Sequence, residues 1–148
     1  MPPPTYQRPN FFTKHVFNPL VEFATGTLGL SLKGSRVLAV PGRKSGKWYR
    51  TPVNPLAFEG GRYLVAPRGE TQWVRNIRVS GAGRLRRGRR IEEIRVEEMG
   101  DAEKPPILRA YLRAWAWEVG QFFGGVGADA PESELLRIAP EHPVFRIV

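Results

Sequence analysis

The sequence predicts an α+β domain in which short, mostly antiparallel strands form a small barrel or strongly bent sheet with helices on its flanks. Three observations predict it. Apolar runs of strand length recur between Val37 and Met99, and glycine-containing turns of hairpin length separate most of them. Connections that tight join antiparallel neighbours. The segment from Asp101 to Val119 then repeats apolar residues at helical spacing, and a chain of 148 residues fits one domain able to bury a core without staples.

The elements follow in order. Residues 1–10 are proline-rich and polar and read as a flexible arm before a single domain over residues 11–148. Phe12, Val16, Leu20 and Phe23 recur at helical spacing, with Pro19 as a break or kink. This amphipathic segment is expected to pack on the barrel, and weak adsorption to anionic lipid is compatible with its pattern. Val37–Val40 is a first strand, Gly42–Gly46 a turn, and Tyr49–Phe58 a second strand interrupted by Pro52 and Pro55, which suit an edge or a bulge. Glu59-Gly60-Gly61 is a hairpin turn into a third strand, Arg62–Ala66. Glu70–Val79 is a short helix with Trp73 and Ile77 one turn apart, ended by Gly81 and Gly83. Arg84–Arg87 and Ile91–Met99 pair around Gly88.

In the long helix Ile107, Leu108, Tyr111, Leu112, Trp115 and Val119 form one stripe, while Arg109 and Arg113 face away. Pro105 and Pro106 suit its first turn. Trp115, Trp117, Phe122 and Phe123 read first as core. Gly120–Ala130 reads as a mobile, glycine-rich loop with the makings of a lid, and Pro143–Val148 as a terminal strand.

Composition narrows the function. Hydrophobic residues are 41% and charged residues 25% of the chain, which is ordinary for a globular protein. The absence of cysteine excludes disulfides, thiolate nucleophiles and cysteine-type zinc sites. His15 and His142 are isolated in sequence, against a metal centre or a catalytic triad. No apolar run reaches the roughly 20 residues of a membrane span, and the N-terminus lacks a signal-peptide pattern. The expected location is cytoplasmic, with peripheral membrane contact as the variant. A net charge of +9 calls for an anionic partner: nucleic acid, a membrane surface or an acidic small molecule.

The densest cluster of chemistry is Pro41-Gly42-Arg43-Lys44-Ser45-Gly46-Lys47. Glycines bracketing two cations and a hydroxyl make either a phosphate or carboxylate nest or a solvated basic turn. It is not a Walker loop, because the spacing is one residue short and Trp48 follows Lys47. Ala66-Pro67-Arg68-Gly69 leads from a strand into a helix, a second place where an anion can sit. On that helix Trp73 and Asn76 share a face. Either they hold a planar ring and its polar edge, or Trp73 is core and Asn76 surface. Arg84, Arg86, Arg87, Arg89 and Arg90 form a basic hairpin, read as a charge-guarded edge, a nucleic-acid contact or a seat for a polyanionic tail.

Gly42-Arg43-Lys44-Ser45-Gly46, Pro52, the strand end Val65-Ala66 and the run Trp73-Val74-Arg75-Asn76-Ile77 together resemble the deazaflavin-dependent nitroreductase family. The resemblance runs from about Val37 to Arg78, with echoes at Ile94–Glu98 and Pro143-Val144-Phe145. It implies a split β-barrel related to the flavin-binding pyridoxamine-phosphate-oxidase group, and reduction of quinones, nitroaromatics or activated alkenes by reduced deazaflavin coenzyme F420. By the same resemblance Arg43, Lys44, Ser45 and Gly46 would hold the phosphate and acidic tail. Pro52, Val53, Ala66, Arg68 and Gly69 would line the ring, and Trp73 and Asn76 would close the site. Members carry an arginine three residues after the motif's last glycine, where this chain has Tyr49; its arginine is Arg50. Neighbouring strand residues face opposite sides, so either a bulge brings Arg50 round or the contact is lost.

The expected function is therefore hydride transfer from F420 to a planar, electron-poor small molecule, with the protein supplying orientation and charge. FMN in the same seat and a non-catalytic cofactor- or lipid-binding protein are the alternatives. Nucleic-acid binding is not expected, because the arginine hairpin lacks interleaved aromatics. A homodimer follows only by analogy with related folds. Tyr111 stands between two roles, a hydrogen-bond or proton donor to the acceptor, or a core residue of the helix stripe.

Overall fold

The computed structural model describes residues 36–148. The expected arm at residues 1–10, the amphipathic segment from Phe11 to Phe23 and His15 lie outside the described residues. Seven strands form one antiparallel sheet: β1 (Arg36–Pro41), β2 (Trp48–Val53), β3 (Leu56–Phe58), β4 (Gly61–Val65), β5 (Ala82–Arg87), β6 (Arg90–Glu98) and β7 (Val144–Ile147). Their order is β2-β1-β5-β6-β7-β4-β3, and the sheet curls as a half-barrel. Among the described residues three α-helices accompany it: α1 (Gln72–Ser80), α2 (Pro105–Val119) and α3 (Glu132–Ile138). This is the bent antiparallel α+β architecture that the turns and apolar runs predict, and the split barrel that the family resemblance implies.

Turn chemistry sets the hairpins. Glu59 and Gly60 join β3 to β4 with φ of 46° and 80°. Left-handed backbone at both positions is the type I′ turn, whose twist matches that of the flanking strands. The predicted strand Tyr49–Phe58 is in fact two strands that occupy opposite edges of the sheet, separated at Asn54-Pro55. Edge placement leaves Pro52 without the ladder hydrogen bonds that a central strand would require of it. Gly83 does not end α1 but lies in β5, where a Cβ would meet the Ala39 carbonyl oxygen at 2.8 Å. Gly81 alone closes the helix, its N–H donating to the Ile77 carbonyl at 2.7 Å.

The core is divided by the sheet. On the inner face Leu38, Val40, Leu64, Leu85, Ile94 and Phe145 pack with Val74 and Ile77 of α1. On the other face the α2 stripe of Ile107, Leu108, Tyr111, Leu112, Trp115 and Val119 packs with Val65, Val144 and Leu135 of α3. β4 serves both layers because its residues alternate, Leu64 to the inner cluster and Val65 to the helical one.

Several expectations about the C-terminal third are corrected. Trp117 is 68% exposed, because it falls off the buried stripe two residues after Trp115. Arg109 does not simply face away; its Nη1 donates to the Ala128 carbonyl at 2.6 Å. That bond, with Phe123 and Val126 buried in the helical layer, ties down the glycine-rich segment that its composition marks as a loose lid. The helix α3 has no counterpart in the sequence reading, since seven residues hold too few apolar positions to show a period. Lys104 is buried at the start of α2, its Nζ 2.8 Å from the Ala139 carbonyl and 2.7 Å from Asp101. Among the described residues no helix is long and apolar enough to cross a membrane.

His142 is fully buried and stacks on Phe123 at 4.0 Å between ring centres. Neither ring nitrogen makes a well-aligned hydrogen bond. Burial pushes its pKa down to about 4 and Lys104 adds to this, while the carbonyls of Ala66 and Pro67 pull the other way. A histidine kept neutral in the folded state favours folding above its ordinary pKa. That contribution is lost as pH falls from about 6.5 towards 4, and the shift corresponds to about 3 kcal/mol. Denaturant unfolding of wild type and His142→Gln at pH 7 and pH 4 checks this: the wild type is expected to lose more stability than the variant on acidification. An equal loss in both proteins would show that His142 does not titrate on unfolding.

Candidate functional site

The glycine-bracketed turn joins β1 to β2 at one end of the curled sheet. It is held by three local bonds. The Gly42 N–H donates to the Lys47 carbonyl at 2.7 Å, the Gly46 N–H to the Gly42 carbonyl at 2.9 Å, and the Lys47 N–H to Ser45 Oγ at 3.1 Å. Gly46 has φ of 75°, a conformation glycine adopts without steric cost. Tyr49 lies across the turn's base, so close that a Cβ on Gly42 would sit 2.6 Å from its ring. Lys44, Ser45, Gly46 and Lys47 are all exposed.

Arg43 behaves differently from its neighbours. Its backbone N–H donates to Asn76 Oδ1 at 3.1 Å, and its Nη1 donates to the same oxygen at 2.8 Å and to Gln72 Oε1 at 2.9 Å. Gln72 and Asn76 are one turn apart on α1, so both amides face the loop. Asn76 is only 4% exposed. A buried amide oxygen receiving two donors, one from a charged guanidinium, is a strong anchor. The turn is thus pinned to the helix by Arg43, and its outward cations are Lys44 and Lys47.

The remaining sequence-predicted residues fall into groups. Trp73 is half-buried on α1, its ring 5.8 Å from Phe145 at 55°, at the rim of the inner core. Ala66 is buried in that core, and half-buried Val53 packs against it. Pro52 and Val53 are adjacent in β2, so they project to opposite faces. Arg68 is half-buried, with its guanidinium carbon 5.3 Å from the centre of the Phe122 ring; it turns towards the helical layer. Gly69 is buried in the bend before α1 and accepts the Thr71 N–H at 2.9 Å.

The β1–β2 register runs unbroken from Arg36↔Val53 to Pro41↔Trp48. No bulge intervenes, so Arg50 and Tyr49 stay on opposite faces, and Tyr49 takes the side of the turn. Tyr111 sits in the helical layer, 2% exposed, its ring 6.3 Å from that of Phe123. Burial raises its phenol pKa, the nearby Glu118 carboxylate raises it further, and a hydrogen bond with Asn54 opposes both. The structure therefore brings Arg43, Lys44, Ser45, Gly46, Trp73 and Asn76 into one neighbourhood of turn and helix, and places Tyr111 in the other core. Gln72 was missed by the sequence reading. The available signal was its i,i+4 relation to Asn76, which makes a two-amide face.

Comparison with known proteins bears on the same region. Residues 15–121 match the family model of the F420H(2)-dependent quinone reductases, a span that includes the turn, α1 and all of α2. No curated protein matches. Among solved structures, a domain-swapped dimer is 16% identical with TM-score 0.55, covering 95% of this chain and all of its own. An F420-H2 dependent reductase is 15% identical with TM-score 0.53, covering 78% of this chain and 95% of its own. A conserved hypothetical protein from Mycobacterium tuberculosis is 18% identical with TM-score 0.52, covering 86% and 78%. At such identities the structures share the fold.

The clamp has a measurable signature. Arg43→Ala removes the charged donor and leaves the buried Asn76 oxygen only the backbone N–H of residue 43, and a cost of about 1.5–3 kcal/mol is expected for loss of a hydrogen bond to a charged group. Asn76→Ala removes the same bond from the other side. Urea unfolding of both single variants and the double variant should therefore be strongly non-additive, the double variant losing little more than the worse single one. Additive losses would mean that the two residues do not act as one clamp.

Proposed function

Because this chain belongs to the F420H(2)-dependent quinone reductase family, and is by that membership an F420-dependent oxidoreductase, we propose that the β1–β2 turn and α1 seat the deazaflavin coenzyme and that the acceptor is a planar, electron-poor molecule such as a quinone, a nitroaromatic or an activated alkene. The observation that carries the placement is the division of labour in the turn: Arg43 is spent on Asn76 and Gln72, which leaves Lys44 and Lys47 exposed on a loop that cannot drift.

The donor set fits an anionic coenzyme. Two ammonium groups and the Ser45 hydroxyl project from the turn, and among the described residues neither lysine has an acidic partner. Lysine donates as a compact point charge suited to phosphate or carboxylate oxygens. When bound, the reduced deazaflavin supplies the hydride. The chain's own contribution is position and exclusion of water. Trp73, half-buried beside Asn76, offers a flat apolar wall for a ring. The clamp fixes the turn relative to that wall, which matters because transfer needs reacting atoms within roughly 3–3.5 Å. Tyr49 across Gly42 supports the turn's base.

The burial of Tyr111 supports its packing role over the donor role. A phenol 2% exposed, kept protonated by burial and sitting in the helical layer away from the turn, is not presented to an acceptor at the turn. A homodimer is the assembly this reading favours, because a relative of the same fold is a domain-swapped dimer.

Two measurements test the proposal. Lys44→Ala and Lys47→Ala should each weaken coenzyme binding by about 1 kcal/mol or more, and the wild-type affinity should fall with added salt. Unchanged affinity in both variants would remove the turn from the site. In stopped-flow oxidation of the reduced coenzyme, wild type and Tyr111→Phe are expected to transfer hydride to a quinone at equal rates, while the variant loses about 1 kcal/mol of stability with its hydrogen bond. A slow Tyr111→Phe would return the phenol to the chemistry. Failure of every acceptor to oxidise the bound coenzyme would make the protein a coenzyme carrier.

A further inference from the structure

The arginine-rich hairpin takes no part in the site above, and the strand register divides it. Arg84 lies on the outer face, its guanidinium 4.3 Å from the Trp48 ring and paired with Glu93 at 3.0 Å. Arg87 and Arg90 are directly opposite each other in the β5–β6 ladder and share the face that carries Leu85, whose partner is Glu92. There they meet Arg36 at the start of β1 and Arg62 near the start of β4, around a groove of about 610 Å³ whose lining also includes the apolar side chains of Leu56 and Leu85.

Charge in the groove is unbalanced. Among the described residues its lining holds four arginines and one acid, Glu92. Arg62 takes that carboxylate with both guanidinium nitrogens, Nη1 at 2.9 Å from Oε1. Arg87 and Arg90 have no carboxylate partner among the described residues. The crowding is felt within the cluster: burial lowers the pKa of Arg36, and Arg87 and Arg62 lower it further by repulsion. Planar guanidinium groups on several sides of a cleft match the oxygens of carboxylates in paired geometry. The volume falls in the range of small-molecule sites, and the aliphatic lining suits a carbon chain between acidic groups.

The groove lies at the opposite end of β1 from the Lys44 turn. Six residues of strand separate the two by roughly 15–20 Å, so they are distinct sites. We propose that the groove is a second anion site, which takes an aliphatic polycarboxylate between Arg87 and Arg90. Two sources supply that chemistry: a free polycarboxylic acid, or an acidic tail carried by the bound coenzyme. The inference does not depend on the function proposed for the turn, and its test uses a probe that contains no ring.

Isothermal titration of the full chain with citrate reads the site directly. Saturable binding of one citrate per chain is expected, weakened tenfold or more in the double variant Arg87→Gln/Arg90→Gln and within twofold of wild type in Lys44→Ala. Both arginines are exposed, and circular dichroism with thermal melting verifies that the double variant is folded. Absence of saturable binding, or equal binding by wild type and the folded double variant, overturns the proposal. So does loss of citrate binding in Lys44→Ala with retention in the double variant, which would put the probe on the turn. Repeating the titration with coenzyme-saturated protein separates the sources: competition assigns the groove to the coenzyme's tail, and undiminished binding assigns it to a free acid. Coenzyme affinity of the double variant is read alongside, so that failure of the groove leaves the turn's role separately measured.

Discussion

The last strand joins two halves that nothing else in the sheet connects. β2, β1, β5 and β6 form one run, and β4 with β3 forms another; β7 pairs with β6 on one side and β4 on the other. Its four residues satisfy backbone groups on both flanks, and bonds just beyond it extend the seam, from Ala66 to Pro143 and from Met99 to Val144. Its side chains join the two cores as well. Phe145 lies opposite Leu64 in the inner cluster, and Val144 lies opposite Val65 in the helical one. Pairing between the end of the chain and residues more than seventy positions earlier closes a long loop, a contact that costs chain entropy before it is rewarded.

That seam positions the site indirectly. α1 follows β4 directly and packs Val74 and Ile77 into the inner core, against the strands that β7 completes. Once α1 is placed, Gln72 and Asn76 face the β1–β2 turn and capture Arg43. The turn's outward lysines are then displayed from a braced loop. A chain of packing and hydrogen bonds thus runs from the C-terminal strand through the helix to the exposed cations, and the most exposed part of the site rests on the most buried part of the fold.

The excess of positive charge is organised by the same framework. At one end of β1 the cations are lysines on a turn, compact charges open to solvent. At the other they are arginines around a groove partly lined by apolar side chains, where planar groups favour paired contacts. Strand alternation separates the arginines of one hairpin into an outer pair-and-stack with Glu93 and Trp48 and an inner cluster facing the groove. One basic run in sequence becomes two environments in space.

Local chemistry by itself determined much of this protein. Gly42 to Gly46 and Glu59 to Gly61 could only be turns, because glycine supplies the left-handed backbone they need. The stripe from Ile107 to Val119 was a buried helix face at its own period. The family pattern was legible because each of its pieces, Gly42 to Gly46 and Trp73 to Ile77, is local and contiguous. What the sequence could not decide was anything set by contacts between distant segments. Tyr49 to Phe58 reads as one strand, yet its halves lie at opposite edges of the sheet, since only the partners available to each half fix its place. Trp117 and Trp115 are alike in composition but differ in burial, because the packing of α2 selects one face. Arg43 and Lys44 are adjacent cations whose roles diverge only when Asn76, 33 residues away, offers an oxygen to one of them. Tertiary structure decided these points because hydrogen-bond partners and burial are properties of where the chain returns to itself, and local pattern carries no record of that return.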